Sequence, residues 1–345
     1  MIKRIICLGA ALSVLTAAFS SCGQTVKLAD ISSTQPSARA ASAETTDSEA
    51  ERTEDITEPA TEPVTEPVLF EIDITPPDGY SPSGSCVISD FETVLQEPEL
   101  PTGCEVTSLA QTLNYLGFPI DKVELADEFM PIDFNGRYTM DEAYIGEPKS
   151  DSGMGCLAPV IVQTADDYFE SIESPCYAED LSETSLAELF YQIDQGRPVI
   201  VWITMYLRVS SWYYQYTAVS GDEMWFNYYQ HCVTLYGYDY DEGVVYIADP
   251  LVGNTTYDMA AFENVYDIMK QQAVVICGDS STEGTFLPRP DKPDSGVPSR
   301  NHMNGEDEPT EYEDDDEEYS YDENDAPGDY VDDYYDYDYR DYEAL

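Results

Sequence analysis

An α+β domain over residues 71–277 is what this sequence predicts, and three observations carry that reading. Residues 104–117 repeat apolar side chains at three-to-four spacing directly after a Pro-Thr-Gly turn. "PVIVWITM" (198–205) is an unbroken apolar run of strand length, and "HCVTLYGYDY" (231–240) with "GVVYIADP" (243–250) reads as two strands around a turn. A helix early and a sheet late, without strict alternation, indicates α+β rather than α/β.

Taken in order, "CVISDFETVLQ" (86–96) reads as a strand and "PELPTG" (98–103) as the turn after it. In 104–117, Val106, Leu109, Ala110, Leu113 and Leu116 supply the helical stripe, and Gly117 marks the stop. Residues 130–160 read as loop-rich. "SLAELFYQIDQ" (185–195) reads as a second helix ended by Gly196, with Pro198 opening the strand that follows. Between 206 and 230 the chain is dense in Tyr and Trp; Trp212, Tyr214 and Trp225 are candidates for the wall of a cleft as well as for packing.

The flanks differ in kind from this domain. Lys3 and Arg4 precede a short apolar stretch and small residues ending at Cys22, the pattern of an export signal over residues 1–22. The ending "FSSC" resembles the lipobox of bacterial lipoproteins, which implies a lipid on Cys22, membrane attachment by that lipid, and exposure on the outer cell surface. Residues 23–70 are rich in Ser, Thr, Ala, Glu and Pro, and their repeat "TEPATEPVTEPV" has almost no large apolar side chain and a proline at every fourth place, as expected of an extended, disordered tether. Residues 278–345 are expected to be a disordered proline-rich linker and an acidic, tyrosine-rich tail, a candidate contact for divalent cations or a basic partner.

Charge narrows the partners. The 345 residues carry 69 acidic and 15 basic side chains, a formal net charge of −54, which repels nucleic acid. Of two histidines only His231 lies in the domain, and no Cys-x-x-Cys pair exists, so the sequence offers neither a histidine-rich nor a thiolate zinc site and implies no cofactor. Cys86, Cys156, Cys176 and Cys277 are open to disulfide pairing or to burial as thiols. Cys232 follows His231 on a strand and so points to the opposite face, into the core.

Cys104 stands at a helix start, where unpaired N–H groups and the helix dipole favour a thiolate. His231 is the one imidazole available as a base, and Asp249 on the next strand can orient it. "QEPELPTGCEVTSLAQTLNYLGF", "DQGRPVIVWIT", "HCVTLYGYD" and "VYIADP" together resemble the extracytoplasmic relatives of the double-glycine-type, bacteriocin-processing cysteine peptidases, a papain-like family. That resemblance implies Cys104 as nucleophile, His231 as general base, Asp249 as its orienting group and Gln96 as an oxyanion donor. It implies hydrolysis of a peptide bond in a peptide or protein substrate through a thioester. Two alternatives stay open: a peptidoglycan amidase or endopeptidase using the same residues, and a surface lipoprotein that only binds.

Overall fold

The computed structural model describes residues 72–210, 213–284 and 292–305. The signal segment with Cys22, the tether, the acidic tail, Trp212 and the Tyr214 side chain lie outside the described residues. Within them the elements run β1 (Ser85–Val87), α1 (Cys104–Tyr115), α2 (Lys122–Glu128), β2 (Ile132–Asp133), β3 (Tyr144–Ile145), α3 (Ala158–Ser171), β4 (Tyr177–Asp180), α4 (Leu186–Asp194) and β5 (Val199–Thr204). They continue as β6 (Tyr213–Thr217), β7 (Glu223–Asn227), β8 (Gln230–Asp239), β9 (Val244–Asp249), β10 (Gly253–Asp258), α5 (Met259–Ile268) and β11 (Ala273–Cys277).

The architecture is α+β and papain-like. One antiparallel sheet has the order β10-β9-β8-β5-β11-β4, with β1 also paired to β8. Strand alternation sorts side chains into two cores. Ile200, Trp202, Cys232, Val274 and Ile276 pack with α1 and α3 on one face; Val199, Val201, Ile203, Val233 and Leu235 pack with α4 and α5 on the other. The central strands are buried on both faces, which is why β5 reads as a continuous apolar run. Trp202 is fully buried and gives its indole N–H to the Cys156 carbonyl at 2.9 Å, so its one polar atom is satisfied.

Two expectations are corrected. The strand at 86–96 covers only Ser85–Val87, because the chain leaves the sheet to serve α1. Phe91 stacks on Tyr236 with ring centroids 5.3 Å apart, and the Val94 N–H is captured by the Gln111 side chain at 3.1 Å. Nor is the linker at 278–302 disordered throughout. Residues 292–302 form a strap across the domain, held by Lys292 on Asp167 at 2.7 Å, the Ile132 N–H on the Pro298 carbonyl at 3.1 Å, and Ser299 Oγ on the Glu128 carbonyl at 2.7 Å. Val297 is buried against Met140, Ile145 and Tyr216, in an apolar cluster that Leu157, Met224 and Phe226 also pack against. Proline density predicted irregular backbone correctly but said nothing of that packing.

No helix is long and apolar enough to cross a membrane among the described residues. No disulfide joins Cys86, Cys104, Cys156, Cys176, Cys232 and Cys277.

Candidate active site

Residues 96–104 form one compact turn that carries two of the expected groups. The Leu100 N–H bonds the Gln96 carbonyl at 3.0 Å, and the Gly103 N–H bonds the Leu100 carbonyl at 3.0 Å. A Cβ at Gly103 would lie 2.8 Å from that of Leu100, so close approach requires glycine just before the cysteine. Gly103 has no side chain to cap α1, and no side-chain cap bond closes the helix start where Cys104 sits.

Lys122, at the first position of α2, is buried beneath this turn. It donates to the Gln96 carbonyl at 2.6 Å and to the Leu95 carbonyl, and pairs with Glu99 at 2.9 Å. The Gln96 N–H bonds the Pro250 carbonyl at 2.9 Å, next to Asp249. Gln96 is itself buried; its Nε2 donates to the Pro101 carbonyl at 2.6 Å, while Oε1 meets no partner. That leaves one amide hydrogen of Gln96 for a ligand oxygen.

His231 and Asp249 meet as expected. His231 Nε2 lies 2.7 Å from Asp249 Oδ1, and both residues are buried. Asp249 also accepts the Leu251 N–H on Oδ1 at 2.8 Å and the Tyr257 hydroxyl on Oδ2 at 3.1 Å. Burial alone would raise this carboxyl; His231 and these two donors outweigh it and hold it below the ordinary carboxylate range. With Nε2 committed to Asp249, Nδ1 is the ring atom left to exchange a proton.

Register explains how α1 reaches this dyad. Thr234 pairs with Ala248, but β9 ends at Asp249, so Cys232 has no partner from β9. Its backbone N–H is among the groups that favour the charged form of Cys104, against the larger effect of burial. One turn along α1, Ser108 Oγ donates to the Cys232 carbonyl at 3.1 Å, and Gln111 reaches Thr234 at 2.8 Å and the Ala248 carbonyl at 3.0 Å. Cys232 is core, as expected, on the α1 side of β8. By alternation His231 is turned from it, at the start of the strand that Ser108 ties to α1. No hydrogen bond joins them among the described residues; the thiol donates to Glu105 Oε2 at 3.3 Å.

That contact reverses one expectation. The helix start was expected to favour a Cys104 thiolate; here burial first, then the Glu105 charge, push the thiol well above its usual range. Sequence reading overlooked Glu105, Lys122, Gln111, Gln230 and Tyr257. An acid directly after a candidate nucleophile was the one visible signal, since such a neighbour opposes a thiolate.

Within the aromatic stretch, Tyr213–Thr217 and Glu223–Asn227 form the β6–β7 hairpin leading into β8. Trp225 is 56% exposed there, so it is a surface side chain rather than core. Among the described residues no cluster of His, Cys, Asp and Glu could hold a metal ion.

A helix that opens on a cysteine, laid across an antiparallel sheet that presents a buried His-Asp pair, defines the papain-like class of peptidase folds. The sequence profile of the Peptidase_C39 like family matches residues 88–274, and the chain belongs to that family. It is similar to an uncharacterised protein of Bacillus subtilis strain 168, YvpB, at 30% identity over 195 residues, covering 53% of this chain and 72% of that one. It is also similar to the crystal structure of a candidate C39-like peptidase from Bacillus anthracis, at 29% identity and a TM-score of 0.50, covering 56% of this chain and 96% of that one. Family and fold support a function of the cysteine-peptidase type.

Proposed function

We propose that this protein is a thiol-dependent peptidase in which Cys104, His231, Asp249 and Gln96 act together. The observation that carries the proposal is the buried His231–Asp249 bond of 2.7 Å, at the start of the strand whose Cys232 carbonyl is held by Ser108, one turn along α1 from Cys104. His231 takes the Cys104 proton on Nδ1, and the sulfur attacks the carbonyl carbon of a peptide bond. The Gln96 amide and the Cys104 backbone N–H stabilise the oxyanion. The imidazolium returns its proton to the leaving amine, leaving a thioester; water, deprotonated by His231, then releases the acid and restores the thiol. Asp249 keeps the ring in the required tautomer and balances its charge.

The folded part carries a strong acidic excess, 36 acids to six bases over residues 71–280, which favours cationic peptides and makes their capture sensitive to salt. Attachment through a lipid on Cys22 completes the proposal and would put the site on the outer face of the membrane; palmitate labelling that survives Cys22→Ser would remove that part.

A peptide library digested by wild type and by Cys104→Ala tests the chemistry, with intact mass after rapid acid quench to trap the acyl-enzyme. Cleavage and a substrate-derived mass increment on the fragment containing Cys104, both absent from the variant, are expected. Cleavage that persists in Cys104→Ala would refute the assignment. Loss of turbidity from purified walls without library cleavage would turn the reading toward a wall-lytic enzyme.

A further inference from the structure

Glu105 is a buried acid, directly beside the nucleophile, that the proposed chemistry does not use. Its Oε2 receives the Cys104 S–H at 3.3 Å, while Oε1 takes the Cys156 N–H at 3.0 Å and the Gln230 side-chain amide at 3.5 Å. Three separate segments thus converge on one carboxyl: the start of α1, the loop before α3, and the residue directly before His231. The loop is shaped for it. A Cβ at Gly155 would lie 2.5 Å from Glu105 Oε1 and 2.9 Å from Gln230 Nε2, and φ there is +110°.

The titratable groups facing this carboxyl are Cys104 beside it on α1, Tyr144 from β3, Cys156 from the loop, and Cys232 from β8, behind which stands Asp249. No ion pair joins Glu105 to a lysine or arginine among the described residues. Burial raises the carboxyl, and its charge in turn raises the thiol.

We propose that Glu105 is a positioning residue: its carboxylate accepts the hydrogen bond of the Cys104 thiol, holds the sulfur away from His231, and keeps the nucleophile latent until that contact is broken. This rests on the reading of Cys104 as nucleophile. A thiolate cannot donate to Glu105, and two adjacent buried anions repel. Proton transfer to His231 therefore requires the thiol to rotate off Glu105, or Glu105 to be protonated. In Glu105→Gln the amide keeps an oxygen for the Cys156 N–H and offers the sulfur a donor, so the block is removed with little change of shape.

The test is the rate at which iodoacetamide alkylates Cys104 as a function of pH, read by peptide mass spectrometry on the full chain. Relative to wild type, Glu105→Gln should lower the midpoint by about one pH unit, which raises the thiolate fraction about tenfold below it. The lower intrinsic reactivity of a less basic thiolate trims the net gain to about threefold. Glu105→Asp keeps the charge and should keep a midpoint near that of wild type. Equal midpoints for wild type and Glu105→Gln, with both reacting faster than the other thiols, would overturn the role of Glu105 and leave the nucleophile standing. A Cys104 that reacts no faster than the other cysteines in wild type and in both variants would overturn the nucleophile itself. Should Glu105→Gln fail to fold, the infrared S–H band lost in Cys104→Ser decides on wild type alone: a frequency lowered by hydrogen bonding supports the proposal, and that of an unbonded thiol refutes it.

Discussion

Two buried carboxyls, Asp249 on His231 and Glu105 on Gln230, meet adjacent residues at the start of β8 and are treated in opposite ways. Asp249 has a histidine, a backbone amide and a tyrosine hydroxyl around it, and is held below the ordinary range. Glu105 has its own backbone N–H and that of Cys156, a weak thiol donor and a long contact to Gln230, but no histidine, and burial wins. Burial is common to both; the imidazole beside Asp249, which Glu105 lacks, decides the sign. The site thus holds one acid suited to facing a cation and another that resists a second anion beside it, the two conditions that keep an imidazole ready and a thiol neutral.

Removing the reacting groups should break the comparison most completely. Cys104→Ala or His231→Ala should abolish peptide turnover, since neither role has a substitute among the described residues; a library digest checks this. Asp249→Ala comes next. Deleting one partner of a buried pair leaves the other exposed to the full desolvation cost, so a loss of about 3 kcal/mol in denaturant unfolding is expected alongside loss of turnover.

Gln96→Ala should cost about 100-fold in kcat/KM, on the order of 3 kcal/mol of transition-state stabilisation. Its effect on stability should be smaller, about 1 kcal/mol, because only the bond to the Pro101 carbonyl is lost. A fall in stability as large as the fall in activity would mark Gln96 as structural.

The smallest effect separates the two acids most finely. Asp249, depressed in the folded state, contributes stability that is present above its unfolded value near pH 4 and fades as pH falls through the lower folded value. Glu105, raised in the folded state, does the reverse: its contribution is present below about pH 4 and is lost as pH rises through the higher folded value. Glu105→Gln should therefore gain on wild type by about 1 kcal/mol at pH 8 and by little at pH 4, as thermal melts across that range would show. A gain independent of pH would mean that the Glu105 charge is not what is being relieved.

Much of this arrangement was legible in the sequence because it is local. α1 and α4 announce themselves by stripe and stop signals; β5, β8 and β9 do so by apolar runs. The Cys104, His231, Asp249 and Gln96 set followed from a helix start, a single imidazole and the resemblance. α3 was missed because it is buried on nearly every side, so no polar face marks its period, and α2 because seven residues hold too little pattern. β10, α5 and β11 were not distinguished from the end of the domain. Glu105 was passed over for a different reason. An acid in the first turn of a helix is ordinarily a solvated partner of the dipole, and only Gly155, Cys156 and Gln230, distant in sequence, bury it.

The most direct measurement is labelling of wild type and His231→Ala by a cysteine-directed peptide probe, with the labelled residue mapped. Modification of Cys104 ahead of the other thiols in wild type, once the bound probe draws the sulfur off Glu105, and slowed by two orders of magnitude or more without the imidazole, is the expected result, since general-base assistance contributes about 100-fold or more. Equal labelling of both proteins, or labelling spread over the other thiols, would mean that Cys104 and His231 do not work as a pair.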